Sequence, residues 1–135
     1  MKKILFLLTL LAKPAYSQIA SESIACSTQD NSQKVYECAK ENAQNSDNAL
    51  NKEYSDLKRR IALNYESEPQ LKEEFLAILN KSQINWIKLR DSNCRLESFE
   101  IETGTQAFET TVNNCIADES TKRTQYLKKI QPTLQ

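Results

Sequence analysis

The sequence predicts an all-α fold, in which a long antiparallel helical hairpin and a third helix form a three-helix bundle stapled by disulfides. The first observation is the scarcity of helix breakers, because residues 18–135 contain one glycine and two prolines. The second is that apolar residues recur three or four positions apart in three long segments. The third is an even set of four cysteines in a short chain, which is typical of a disulfide framework.

The N-terminal 17 residues have the layout of a secretory signal peptide. Two lysines precede an apolar run over residues 4–12, and small residues follow. The run is much shorter than the roughly 20 residues that a membrane span needs. We expect cleavage after Ser17, and no lipid anchor because the first cysteine, Cys26, lies nine residues further on. The mature chain, residues 18–135, is then a single exported domain, periplasmic or secreted, without a membrane anchor.

The first helix is predicted over residues 33–65, which contain no glycine or proline. Asp30 with Gln33 three residues later fits a capping box at its start. About 33 residues make a helix some 50 Å long, which needs a packing partner in water. The predicted buried stripe consists of Tyr36, Ala39, Ala43, Ser46, Leu50, Tyr54, Leu57 and Ile61.

The second helix is predicted to start after a turn at Ser67, where an S-x-x-Q box and an early proline, Pro69, coincide. Gly104 is expected to end it and to separate it from a third helix. The predicted stripe of the second helix is Leu71, Phe75, Ile78, Ser82, Trp86, Leu89, Asn93 and Leu96. The third helix is marked by Phe108, Val112, Cys115, Ile116, Tyr126 and Ile130.

Folding the first two helices about residue 66 pairs positions whose numbers sum to about 132. Trp86 then lies opposite Ala43 and Ser46, and small residues there make room for a buried indole. The same register brings Cys94 level with Cys38.

All four cysteines therefore gather at one end of the bundle. Three pairings are possible, and the levels along the helices rank them without deciding among them. Cys26–Cys38 with Cys94–Cys115 is preferred, and Cys38–Cys94 with Cys26–Cys115 is the alternative.

One motif spans the predicted helical hairpin: Leu50-Asn51-x-x-Tyr54, then Gln83-x-x-Trp86-x-x-x-Arg90-Asp91-x-x-Cys94, followed by Cys115. This motif resembles that of the LprI-type lysozyme-inhibitor family. The resemblance covers about residues 26–127 and implies a small exported helical domain that, in some members, inhibits lysozyme. It departs from the family pattern at residues 34–36, at Glu119 and around Gly104, where this chain has fewer glycines. The matching positions are Cys38, Ala39, Leu50, Asn51, Tyr54, Gln83, Trp86, Arg90, Asp91, Cys94, Cys115, Ser120, Arg123 and Leu127.

Most of these motif residues are interpreted as scaffold. Arg90, next to Asp91, is expected to bind a carboxylate such as Asp47 and so orient the hairpin. Asn51 and Tyr54 suit a hydrogen-bonded seam between helices.

Composition argues against catalysis, cofactors and nucleic-acid binding. The chain has no histidine, which removes histidine-based triads and metal sites, and its one glycine does not make a phosphate-cradling loop. The mature chain carries a formal charge of −3, unlike a nucleic-acid binder. The family resemblance implies that the partner is a protein: lysozyme or another cell-wall hydrolase. The alternative is a periplasmic binding, chaperone-like or envelope-assembly module without inhibitory activity.

The candidate binding surface is an acidic segment. Residues 96–121 contain six acids and no lysine or arginine. Since lysozymes are generally cationic and have an open cleft, an acidic turn there can be steered to the enzyme; a purely solvated acidic turn is the alternative. The candidate contact residues are Glu97, Glu100, Glu102, Thr103, Gly104 and Glu109.

Overall fold

The computed structural model describes residue 26 and residues 31–132. Within these residues all regular structure is helical, and three long helices follow one another along the chain. Helix α1 spans Ser32–Asn64, α2 spans Pro69–Glu97 and α3 spans Gln106–Lys129. The all-α three-helix prediction is confirmed. The predicted signal peptide, residues 1–17, lies outside the described residues.

Helix α1 begins one residue earlier than predicted and uses a different cap. The Oδ1 atom of Asn31 accepts a hydrogen bond from the backbone N–H of Lys34 at 3.0 Å, which satisfies one of the donors left open at a helix start. Asp30, the predicted cap, lies outside the described residues.

The start of α2 corrects the predicted capping box. The N-cap is Glu68 rather than Ser67, and its side chain makes no capping hydrogen bond. Pro69 occupies the first helical turn, where its missing N–H costs nothing.

Helices α1 and α3 run parallel and are the most closely packed pair of the bundle. The Nε2 of Gln106 donates to the Oε1 of Gln33 at 2.6 Å, and the Oγ1 of Thr121 donates to the Oγ of Ser46 at 3.5 Å. These contacts fix an offset of 73–75 residues between the helices. Side chains that allow this close approach are Ala39, Ala43, Ser46, Ala117, Ser120 and Thr124.

This arrangement changes the role expected for the hairpin. The first two helices do form an antiparallel pair, but the small residues of α1, such as Ser46, meet α3 rather than make a slot for Trp86. Cross-links between α1 and α2 nevertheless keep a register close to the predicted one. Tyr54 bonds Asn80 and Asp47 bonds Arg90, pairs whose numbers sum to 134 and 137.

The apolar core lies where the C-terminal parts of α1 and α3 meet the N-terminal half of α2. Trp86, Tyr54 and Phe75 are among the partly buried side chains packed against it. The buried cluster consists of Leu50, Leu57, Ile61, Leu79 and Leu127. Every member of the stripe predicted for α1 is buried or half-buried, so that prediction is confirmed.

The face predicted to be buried on α2 is only partly correct. Phe75, Ser82 and Trp86 are half-buried, as expected. Ile78, however, is 60% exposed, whereas its neighbour Leu79 is 4% exposed. The core-facing side is therefore turned from the predicted stripe by less than the 100° that separates neighbouring residues. The predicted stripe members that are exposed are Leu71, Ile78, Leu89, Asn93 and Leu96. Tyr126 of α3, also predicted to face the core, is 53% exposed.

Both disulfides lie at the end of the bundle that holds the N-termini of α1 and α3. Cys26 is bonded to Cys38 and Cys94 to Cys115, with Cα–Cα distances of 5.6 and 5.5 Å. This is the preferred one of the three pairings. In the part of the chain that the structure covers, none of the helices combines the length and apolar character of a membrane span.

Candidate functional site

A polar cluster links the three helices near the middle of the bundle. The Nη1 of Arg90 donates to the Oδ1 of Asp47 at 2.8 Å and to the Oγ of Ser120 at 3.1 Å. The Ser120 hydroxyl in turn donates to the same Asp47 oxygen at 2.6 Å. One residue from each helix thus takes part, and the expected contact between Arg90 and Asp47 is present.

The guanidinium group of Arg90 bonds the carboxylates of two acids. Its Nε and Nη2 both lie 2.9 Å from the Oδ1 of Asp91. The Arg90 side chain is only 10% exposed, whereas those of Asp47 and Asp91 are 41% and 52% exposed. The guanidinium is therefore a nearly buried charge neutralised by two carboxylates that still reach solvent, which limits their desolvation cost.

Trp86 lies between two arginines. The guanidinium carbons of Arg90 and Arg123 are 5.2 and 5.5 Å from the indole ring, within the range of a cation–π contact. Arg123 also donates from Nε to the Oε1 of Gln83 at 3.0 Å and from Nη2 to the Oγ of Ser82 at 2.9 Å. Burial lowers the pKa of the Arg123 guanidinium, which still remains charged near neutral pH.

The other motif residues are less uniform. Leu50 is a core residue at 2% exposure, and the Tyr54 hydroxyl donates to the Oδ1 of Asn80 at 3.4 Å, a long bond between α1 and α2. Asn51 is exposed, so it does not belong to a buried seam. Asp91 is also exposed and bonds Arg90 of its own helix, so most but not all of the motif residues lie in the contact region between the helices.

The α2–α3 turn, residues 98–105, carries most of the predicted binding residues and has a tightly bonded start. Ser98 is fully buried; its backbone N–H and its Oγ both donate to the carbonyl of Cys94, at 3.3 and 3.1 Å. The Cys94–Cys115 disulfide fixes the residue that accepts these bonds. At the far end of the turn, Thr105 Oγ1 caps α3 by accepting from the N–H of Phe108 at 3.2 Å.

Gly104 is needed by the backbone of this turn. Its φ of +86° lies in a region that L side chains rarely adopt. No atom lies within 4 Å of a β-carbon placed there, so backbone conformation rather than crowding selects glycine.

The predicted acidic surface is exposed. All six candidate contact residues lie at the surface: Glu97, Glu100, Glu102, Thr103, Gly104 and Glu109. Two exposed apolar residues that the sequence did not predict for this surface lie near them: Leu96, predicted to be buried, is 72% exposed, and Phe99 is 82% exposed. An aromatic residue placed between two acids, outside the helical stripe, is the signal that identifies Phe99.

Two open grooves border the turn. One, of about 440 Å³, is lined by Leu96, Phe99 and Phe108 together with polar residues. The other, of about 390 Å³, lies between α2 and α3 beside Arg90 and Arg95. Within residue 26 and residues 31–132, no three Cys, Asp or Glu side chains are grouped so as to hold a metal ion.

Together these features define a class: a small three-helix domain, stapled by two disulfides, with a polar interhelical cluster and an exposed acidic turn. Residues 24–127 match the family model described as lysozyme inhibitor LprI, and the chain belongs to this family. A similar fold is found in the crystal structure of a DUF1311 family protein from Pseudomonas putida KT2440, with 25% sequence identity and a TM-score of 0.66. The match covers 81% of this chain and 99% of that one. The comparison with curated proteins gives no match.

Proposed function

We propose that the protein is exported with residues 1–17 as its signal peptide, and that the mature chain inhibits lysozyme or a related cell-wall hydrolase by binding over its cleft. Membership of the lysozyme inhibitor LprI family supports this class of function. The observation that carries the proposal is the acidic turn. Its acidic side chains are exposed, and the start of its backbone is held by Ser98 and the Cys94–Cys115 disulfide.

The mechanism is steric and electrostatic. Glycosidases of this kind act with carboxylates in an open cleft, and lysozymes are generally cationic around it. Exposed acids at Glu97, Glu100 and Glu102 attract such a surface and speed association. Because the turn is already ordered, little conformational entropy is lost when it binds.

The test is charge reversal within the turn. The double variant Glu100→Lys/Glu102→Lys is compared with Glu73→Lys/Glu74→Lys, which makes the same charge change at exposed residues near the start of α2. Both are assayed, as oxidised mature protein, for inhibition of lysis of a cell-wall suspension by a purified cationic lysozyme. Thermal melts of both variants are recorded as a check on folding.

We expect the turn variant to inhibit at least about tenfold less well at low salt, chiefly through slower association, and the α2 variant to match the parent. The difference should shrink as salt is added, since screening acts over roughly 10 Å at 0.1 M. Equal inhibition by both variants, with the salt dependence of the parent, would move the binding surface away from this turn. A parent protein that suppresses aggregation of unfolded proteins but leaves lysozyme active would favour the chaperone-like alternative.

A further inference from the structure

The α2–α3 turn combines its acids with the most exposed large apolar side chains of the described residues. Phe99 is 82% exposed and Leu96 72% exposed, and both line the same groove with Phe108. An aromatic ring left in water forgoes a large burial energy. The position of Phe99 between Glu97 and Glu100 in the sequence therefore suggests a role in binding.

The backbone around Phe99 is fixed before any partner arrives. The N–H of Phe99 donates to the carbonyl of Leu96 at 3.2 Å, and the N–H of Ile101 donates to the carbonyl of Ser98 at 3.0 Å. Ser98 points into the protein, where its hydroxyl bonds the carbonyls of Cys94 and Arg95 at 3.1 Å. Burial of Ser98 directs the next residue outward, so Phe99 protrudes from a rigid turn.

This arrangement matches the organisation of a strong protein interface. Such interfaces have a small apolar centre, often one aromatic anchor, inside a polar rim that excludes water. Here Phe99 and Leu96 supply an exposed apolar centre on a groove that Arg95 also lines, and the exposed acids Glu97, Glu100 and Glu102 are close to them along the chain. The complementary partner is a cationic protein with a concave apolar pocket.

We infer that Phe99, supported by Leu96, is the anchor that enters the substrate cleft of a cationic cell-wall glycosidase, and that the acids around it bind the basic rim of the cleft. The inference rests on the proposed function and adds the residue that holds the complex together. The acids govern the rate of association, and the aromatic side chain governs the rate of dissociation.

The experiment compares Phe99→Ala with Leu63→Ala, which removes an apolar side chain of 67% exposure near the end of α1, away from the acids. Binding of the oxidised mature protein to immobilised cationic lysozyme is followed by surface plasmon resonance at several salt concentrations. We expect Phe99→Ala to weaken binding by about 30-fold or more through faster dissociation, as for an interface hot spot. The salt dependence should stay that of the parent, unlike that of the Glu100 and Glu102 variant.

A second arm tests where the anchor binds. Soluble N-acetylglucosamine trimer, which occupies the substrate cleft of lysozyme, should compete with the parent protein. Phe99→Ala binding as tight as that of Leu63→Ala overturns the inference and leaves the proposed function standing. Parent binding that the trimer does not affect overturns the inference together with the cleft position in the proposed function, and leaves only inhibition at another surface. A parent that neither binds nor inhibits the enzyme overturns the proposed function, and this inference with it.

Discussion

Replacing Trp86 with alanine should destabilise the fold before it affects binding. The indole packs on the buried cluster from one side and is flanked by the guanidinium groups of Arg90 and Arg123, at 5.2 and 5.5 Å. Alanine would leave a void beside the core and would remove the aromatic face from two nearly buried cations.

The size of the effect follows from partial burial. Removing a fully buried aromatic ring costs about 3–5 kcal/mol, cation–π contacts included. Trp86 keeps some solvent exposure, so we expect a loss of about 2–4 kcal/mol in the free energy of unfolding. For a domain of this size, that corresponds to a fall of about 10–25 °C in Tm. Trp86→Phe, which retains an aromatic face, should lose less than half as much.

Urea unfolding followed by far-ultraviolet circular dichroism is the appropriate assay, because Trp86 is the only tryptophan and its fluorescence is lost in the variant. Both disulfides are kept intact so that only packing changes. A loss below about 1 kcal/mol combined with loss of lysozyme binding would refute the scaffold role and make Trp86 a contact residue instead.

Two further predictions concern the disulfides and the apolar core. Mass spectrometry of the exported protein should find no free thiol, and two or more free thiols would contradict the two disulfides. The double variant Cys94→Ser/Cys115→Ser should lose about 3 kcal/mol of unfolding free energy on urea denaturation. Leu57→Ala, at 0% exposure, should lose about 2–5 kcal/mol, whereas Leu63→Ala, at 67% exposure, should change stability by less than about 0.5 kcal/mol in the same assay. Equal losses in the two leucine variants would contradict the assigned core.

The buried face of α1 could be predicted from the sequence because apolar and small residues occupy one stripe and polar residues the rest. In α2 the same rule selects a face that is only partly buried, because leucine and isoleucine occur on two sides of the helix while part of the buried side carries polar residues. Gln83 and Arg90 face inward because each has a partner on another helix, Arg123 and Asp47 respectively. Hydrophobic periodicity does not register such pairs, since burial of a polar group depends on a partner far away in sequence.

The close parallel contact of α1 and α3 was missed for a related reason. A short connection predicts neighbouring antiparallel helices, and this rule favours the pairing of α1 with α2. Small residues determine the closer pair: Ala43 and Ser46 on α1 and Ala117 and Ser120 on α3 allow the backbones to approach. Their low hydrophobicity makes this surface inconspicuous in the sequence. The outward direction of Phe99 was equally hidden, because it follows from the hydrogen bonds of Ser98 rather than from a repeat.

The family motif lies mainly between the helices, and it meets the candidate binding surface at the groove that Arg90, Thr103 and Glu109 line. Arg90 and Arg123 both contact Trp86 between the helices, and we expect their replacement to act on folding. The residues proposed to bind lie beyond Cys94, on a turn whose backbone is fixed locally by Ser98 and the neighbouring disulfide. Because the helices do not depend on the side chains exposed there, the turn can change its charge and its apolar tip without loss of the fold. The match to the family therefore describes the scaffold, and under the proposed function the choice of target would depend on Phe99 and the acids near it.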